Sequence, residues 1–304
     1  MDPQTRPLKP AKSKPHLKNQ PNPHSKSQAK PKQKSLTKHR YDWMPDLPDH
    51  RDFNFSEQIA LPERIPDLVD LRAQCSPVEN QGNMGSCTGN AIAGLVEFLE
   101  LADLKTHNDA EPEVFNDGQY SGQHSGPYSN VSRLFIYYNE RELSGTTGSD
   151  SGSTIRNGMK AIATWGVCRE KLWSYTDNHL LEKPAAKAYG EGAKHRIGSY
   201  LRISDLETGL QCLATGLPFV FGFTVFQSFE SPEVAKTGIV PLPTKGEQVL
   251  GGHAVMAAGY DLNKEWLIVR NSWGVKWGDH GYFYMPFAYL TTLHLAQDFW
   301  TIRN

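Results

Sequence analysis

The stretch "SPVENQGNMGSCTGNAIAGLVEF", Ser76 to Phe98, sets one cysteine among glycines and small polar residues, just before a long apolar run. From Cys87 onward Ala91, Leu95, Phe98 and Leu99 fall at helical spacing, so the segment reads as a turn-rich approach to a helix whose first residue is Cys87, with Ser86 placed to cap it. A thiol there can be a buried apolar group, half of a disulfide, a metal ligand or a nucleophile. At a helix N-terminus it meets unpaired N–H groups and the positive end of the macrodipole, and both favour thiolate. Gly82 and Gly85 leave the approach open, while the N–H of Cys87 and the side-chain amide of Gln81 are candidate donors to an oxyanion.

Outward from that helix, "SRLFIYYNEREL" (132–143) and "TIRNGMKAIATWG" (154–166) read as two more helices, and Ser204-Asp-Leu-Glu207 reads as the capping box of a fourth. From Pro218 the pattern changes. "PFVFGFTVF", "HAVMAAGYD", "EWLIVRN" and "GYFYMP" are short β-branched or aromatic runs bounded by Gly, Pro and Asn, hence strands. Helices first and strands last predict an α+β protein with a helical lobe (about 75–200) and a β-rich lobe (about 200–304). The Gly/Ser/Asn/Asp-rich segment at about 106–131 reads as a surface insert.

Formal net charge is −1, unevenly spread: residues 1–40 hold eleven of the 32 Lys/Arg and one of the 33 acids, and the remainder carries −11. With seven prolines and few large apolar side chains, residues 1–40 are expected to be a disordered basic tail. It lacks interleaved aromatics, so no specific nucleic-acid partner is expected. Residues 41–64, "YDWMPDLPDHRDFNFSEQIALPER", alternate aromatics and prolines with acids and read as an extended strap on a globular surface. The compact domain is placed at about 65–304.

No apolar run is long enough for a transmembrane segment, and the first residues lack a secretory signal, so a cytoplasmic location is expected, with export by a specialised secretion system as the alternative. Four cysteines without a CxxC pair argue against a disulfide framework and structural zinc, and no metal site or cofactor is expected. Cys75, Cys168 and Cys212 read as small buried hydrophobes. P-loop, HExxH, EF-hand and GxSxG motifs are absent, which leaves nucleotide, zinc-peptidase, calcium and serine-hydrolase readings without a carrier.

A nucleophilic thiol needs an imidazole. His253 follows Gly251-Gly252 and opens an apolar strand; eighteen residues on, Asn271 ends the next strand and precedes Ser272-Trp273-Gly274. Sequential antiparallel strands bring His253 and Asn271 side by side, where Asn271 can fix the imidazole tautomer and Trp273 can shield their bond.

The segments "NQGNMGSCTGNA", "GGHAVMAAGYD" and "WLIVRNSWGVKWGDHGYF" resemble the active-site signatures of papain-like cysteine peptidases, and "IPDLVDLR" (65–72) resembles the start of their mature domain. The resemblance is to a bacterial-type, disulfide-poor member and spans about 65–304. It implies the two-lobe papain-like fold with the cleft between the lobes, and hydrolysis of a peptide or protein substrate through a thioester. In that scheme Cys87 is the nucleophile with a depressed thiol pKa, His253 the general base and acid, Asn271 its orienter and Gln81 the oxyanion donor. Trp273 covers the His–Asn bond, Trp277 lines the leaving-group side, Gly152 in "GSDSGS" (148–153) belongs to the glycine-rich wall, and Ala254 lies at the second specificity pocket. An amidase or acyltransferase using the same residues, and a non-catalytic peptide-binding homologue, are the alternatives.

The departures are specific. Met84 stands where the family has a disulfide cysteine, and Thr88 where it has an aromatic packed behind the nucleophile. His253 and Asn271 lie 166 and 184 residues beyond Cys87, more than the family's roughly 130–150. Only 64 residues precede Ile65, so residues 41–64 are expected to cover the cleft in place of a long helical propeptide.

Overall fold

The computed structural model describes residues 39–106 and 130–303, which belong to one compact unit; the basic tail before residue 39 and most of the polar insert lie outside the described residues. The helices are α1 (Phe55–Gln58), α2 (Cys87–Thr106), α3 (Arg133–Ser144), α4 (Ile155–Trp165), α5 (Ala186–Gly192), α6 (Leu206–Ala214), α7 (Pro232–Thr237) and α8 (Phe287–Thr291). The strands are β1 (Leu68–Asp70), β2 (Ser199–Ile203), β3 (Phe219–Phe226), β4 (Val249–Asp261), β5 (Trp266–Arg270), β6 (Tyr282–Pro286) and β7 (Ala296–Arg303).

All strand pairs are antiparallel, in the order β2-β7-β3-β4-β5-β6, with β1 also paired to β4. Helices α2, α3 and α4 pack on one another and α2 also packs on β4, while the seven strands form one sheet. Gly89 sets the approach of the first two helices, because a Cβ there would lie 2.8 Å from the Arg133 carbonyl oxygen. Ser132 and Thr154 cap α3 and α4, accepting from the N–H groups of Phe135 and Asn157.

Two local expectations shift. Asp205, not Ser204, caps α6 by accepting from the Thr208 N–H, because its carboxylate is the stronger acceptor and Ser204 instead donates to it. The Ser86 hydroxyl pairs with the Tyr175 hydroxyl (2.5 Å) and with Nδ2 of Asn90 (3.1 Å), both side chains rather than the backbone of α2.

Residues 39–64 are not extended throughout, since Phe55–Gln58 form a helical turn. Tyr41, Trp43 and Phe55 are buried in the main apolar core. A buried ion cluster fixes the middle of this segment. Asp52 pairs with Arg156 of α4 and Arg202 of β2, Arg202 pairs with Asp298 of β7, and Asp46 accepts from the Trp300 indole (2.9 Å) and the Arg156 N–H (3.1 Å). Asp298 closes the ring by accepting from the Asp46 N–H at 2.7 Å.

Candidate active site

Cys87 opens α2 and is fully buried, and the backbone groups of Ala254 and Thr88 lie close enough to its thiol to favour the thiolate. Since Ala254 follows His253 on β4, the sheet brings that strand to the helix N-terminus. His253 Nε2 lies 2.8 Å from Oδ1 of Asn271 at the end of β5. The same oxygen accepts from the Ser272 N–H (2.8 Å), which identifies it as the carbonyl oxygen and makes His253 Nε2 the protonated nitrogen. Nδ1 then carries a lone pair, and no hydrogen-bond partner meets it.

Trp273 stacks on His253 with centroids 5.1 Å apart, and Trp277 meets Trp273 edge-on at 4.9 Å. Gln81 is buried; its Nε2 donates to the Met84 carbonyl (3.0 Å), and its Oε1 accepts from the Ser272 hydroxyl. His253, Asn271, Gln81, Trp273 and Trp277 are thus joined by direct contacts or through Ser272, with Ala254 next to His253 on the same strand. Thr88, where the family aromatic is missing, is buried and donates to Glu140, whose carboxyl burial pushes up to about 8. A neutral acid and a hydroxyl thus fill the space behind the nucleophile.

The cleft is occupied by the chain's own residues 39–44. Trp43 N–H donates to the Gly252 carbonyl and Met44 N–H to the Ser153 carbonyl, both at 3.0 Å, in parallel bridges. The Trp43 indole fills the pocket beside Ala254. A Cβ on Gly222, which pairs with Ala254 across β3 and β4, would come within 2.0 Å of it. The wall pairs through Ser153, next to the expected Gly152. Gly152 has φ +72° and allows contact with the strap, since a Cβ there would lie 1.8 Å from the Asp42 carbonyl oxygen. Tyr41 donates to Glu230 (2.5 Å) and meets His253 edge-on, while His39 stacks on Trp273 at 3.9 Å.

This cover changes the electrostatics expected for Cys87. Burial pushes its thiol up to about 12, with Glu140 and Asp42 adding to the rise, and the nearby backbone groups of Ala254 and Thr88 do not offset it. Burial also pushes His253 down to about 4. In the covered chain both groups are neutral, so the expected depressed thiol is not that of this state.

Ser272, Asp150, Tyr137, Tyr175 and Gly222 complete the surroundings and were not singled out from sequence. Ser272 and Asp150 lie inside quoted motifs, so proximity was a usable signal; Tyr137, Tyr175 and Gly222 carried none, because their roles depend on contacts distant in sequence. Among the described residues, no cluster of three or more His, Cys, Asp or Glu is arranged to hold a metal, and no helix is long and apolar enough to cross a membrane.

With this geometry stand the comparisons: the papain family cysteine protease model matches residues 140–299, and the chain belongs to that family. It is 38% identical over 290 residues to an uncharacterized peptidase C1-like protein of Acanthamoeba polyphaga mimivirus, covering 87% of this chain and 86% of that protein. Cysteine proteinase 3 of Entamoeba histolytica is 30% identical over 231 residues, covering 74% of this chain and 64% of its own length. Among solved structures, xylellain, a cysteine protease from Xylella fastidiosa, superposes with TM-score 0.74 at 35% identity, covering 87% of this chain and 96% of xylellain. The protein is thus a papain-fold cysteine protease. A virus, an amoeba and a bacterium supply these relatives, so they do not confine the chain to bacteria.

Proposed function

We propose that the chain hydrolyses peptide bonds through a Cys87 thioester and that residues 39–44 hold it latent. Removing the strap lets water and substrate reach the cleft. The Cys87 proton then passes to His253 Nδ1, and sulfur attacks the carbonyl carbon. Charge developing on the carbonyl oxygen is met by the Cys87 N–H and the Gln81 side-chain amide. The C–N bond breaks as His253 returns the proton to the leaving amine. Water, deprotonated by His253, attacks the thioester, the C–S bond breaks, and the thiol is restored. Asn271 holds the tautomer that leaves Nδ1 free, and Trp273 keeps water from their bond.

The observation that carries this reading is the His253–Asn271 bond with its unpartnered Nδ1, on the strand whose next residue, Ala254, lies beside the Cys87 thiol. The test is cleavage of a peptide library by a chain with a weakened strap, R40A/W43A, with and without Cys87→Ala. Hydrolysis abolished by Cys87→Ala supports the reading. Cleavage that survives that change refutes it, and transfer of the acyl group to an added amine in preference to water favours the acyltransferase alternative.

A further inference from the structure

Met84 is buried at the position where the family resemblance places a disulfide cysteine, and none of the four cysteines, Cys75, Cys87, Cys168 and Cys212, forms a disulfide. Something else must hold the loop 81–86 that carries the oxyanion donors up to the nucleophile. At one end, the Gln81 N–H donates to the Ser272 carbonyl (2.8 Å), and the Tyr175 hydroxyl donates to the Gln81 carbonyl (2.9 Å). At the other end, the Gly85 N–H, two residues before Cys87, points between both carboxylate oxygens of Asp150, at 3.1 and 3.0 Å.

Asp150 is itself held. The Tyr137 hydroxyl donates to its Oδ1 (2.6 Å) and accepts from the Gly152 N–H (2.9 Å). Tyr137 is fully buried in α3, the Arg141 guanidinium lies 4.1 Å from its ring centroid, and Arg141 also donates to the Ser149 carbonyl at 2.7 Å. The wall 148–153 is therefore braced from behind by a helix. Gly85 is required in front: a Cβ there would lie 2.3 Å from Oδ2 of Asp42 and 3.1 Å from Oδ1 of Asp150.

We propose that Asp150 is the positioning residue of the nucleophile loop, tying Gly85 to the cleft wall by charge-assisted hydrogen bonds in place of a covalent bridge. The proposal rests on the reading of Cys87 as the nucleophile of a peptidase. In the covered chain the same carboxylate is also the strap's anchor, since Arg40 pairs with its Oδ2 and donates to its backbone carbonyl at 2.9 Å. One carboxylate thus serves the loop in both states and the strap in one.

The two roles separate in full-length R40A/W43A, which lacks the Arg40 contact and the seated indole. In that chain D150A lowers kcat for a peptide by about 10- to 100-fold, the scale of loss for a donor displaced by about an ångström. KM changes little, and alkylation of Cys87 by iodoacetamide, which needs no oxyanion donor, keeps its rate. D150N, retaining one acceptor for Gly85, falls between. An unchanged kcat in D150A overturns the proposal, as does a loss of kcat matched by an equal loss of alkylation in both variants. A reference chain that alkylates at Cys87 but cleaves no peptide overturns the peptidase reading together with it.

Discussion

Replacing Trp43 with alanine should release the cleft without touching any residue proposed to carry the chemistry. The indole is 6% exposed and lies against Gly222 and Gly252. A buried tryptophan removes about 200 Å² from water, which at about 25 cal/mol per Å² is roughly 5 kcal/mol of docking free energy. Its Nε1 meets no acceptor in the pocket, a penalty of about 1–3 kcal/mol. The net contribution is then about 2–4 kcal/mol, so the uncovered fraction should rise by roughly 30- to 1,000-fold, up to saturation. The strap's two main-chain bonds and the Tyr41–Glu230 and Arg40–Asp150 contacts remain and keep the segment near the cleft. The assay is the rate of Cys87 alkylation by iodoacetamide, followed by mass spectrometry beside initial rates on a peptide substrate, with thermal melting to confirm folding. A folded W43A chain that alkylates no faster than the parent would refute the reasoning.

Gly222→Ala should act in two opposite ways: in the full chain it unseats Trp43 and raises activity on peptides with small side chains. Combined with W43A it should depress cleavage of library peptides that place a large aromatic in the same pocket. Latency should depend on pH with a sign set by the two buried groups. Cys87, raised from 9.0 to about 12 in the covered state, keeps its proton there, so covering weakens as pH rises above 9. His253, lowered from 6.5 to about 4, stays neutral there, so covering also weakens as pH falls below 6.5. Asp42, raised chiefly by desolvation, opposes the acid effect, and the alkaline limb should be the steeper. Alkylation of the wild-type chain, corrected for intrinsic thiol reactivity, should be slowest between pH 6.5 and 9; a minimum elsewhere counts against this. Asp298 is raised from 3.8 to about 6 by burial and by Asp46, so its folded form prefers the proton and stability from this group grows as pH falls from 6 towards 3.8. The denaturant midpoint of wild type should therefore gain on that of D298N as pH falls from 6 towards 3.8; a difference between the two that stays constant over that range counts against this.

Much of this was legible in the sequence because it is local. The cap-and-period pattern placed α3 and α4 to within a residue or two and α2 at its first residue, though not its end at Thr106, and the Cys87, His253 and Asn271 motifs stand at element ends that the fold brings together. Pairing between distant segments was not legible. Leu68–Asp70 joins β4 nearly two hundred residues later, and Ala296–Arg303 inserts between β2 and β3, where only tertiary contacts decide. The neutral thiol of the covered chain was not legible for a related reason: the helix terminus is a local signal for thiolate, whereas the desolvation that opposes it here comes from a strap and a strand far away in sequence. Composition suggested a strap in 41–64, and the missing helical propeptide of the family suggested that it covers the cleft; contacts that begin at His39 and centre on Trp43 were not legible.

The ion cluster around Asp46, Asp52 and Asp298 has a kinetic consequence. It nails the chain down just beyond Met44, so a lifted strap remains a flap on a short tether, with Pro45 at its base. Re-closure is then a first-order event, indifferent to protein concentration. A free peptide carrying residues 39–44 would have to compete with an effective local concentration on the order of millimolar. Dilution cannot activate such a molecule. Cutting the chain between the cleft and the cluster can, because a tethered plug then becomes a diffusible one.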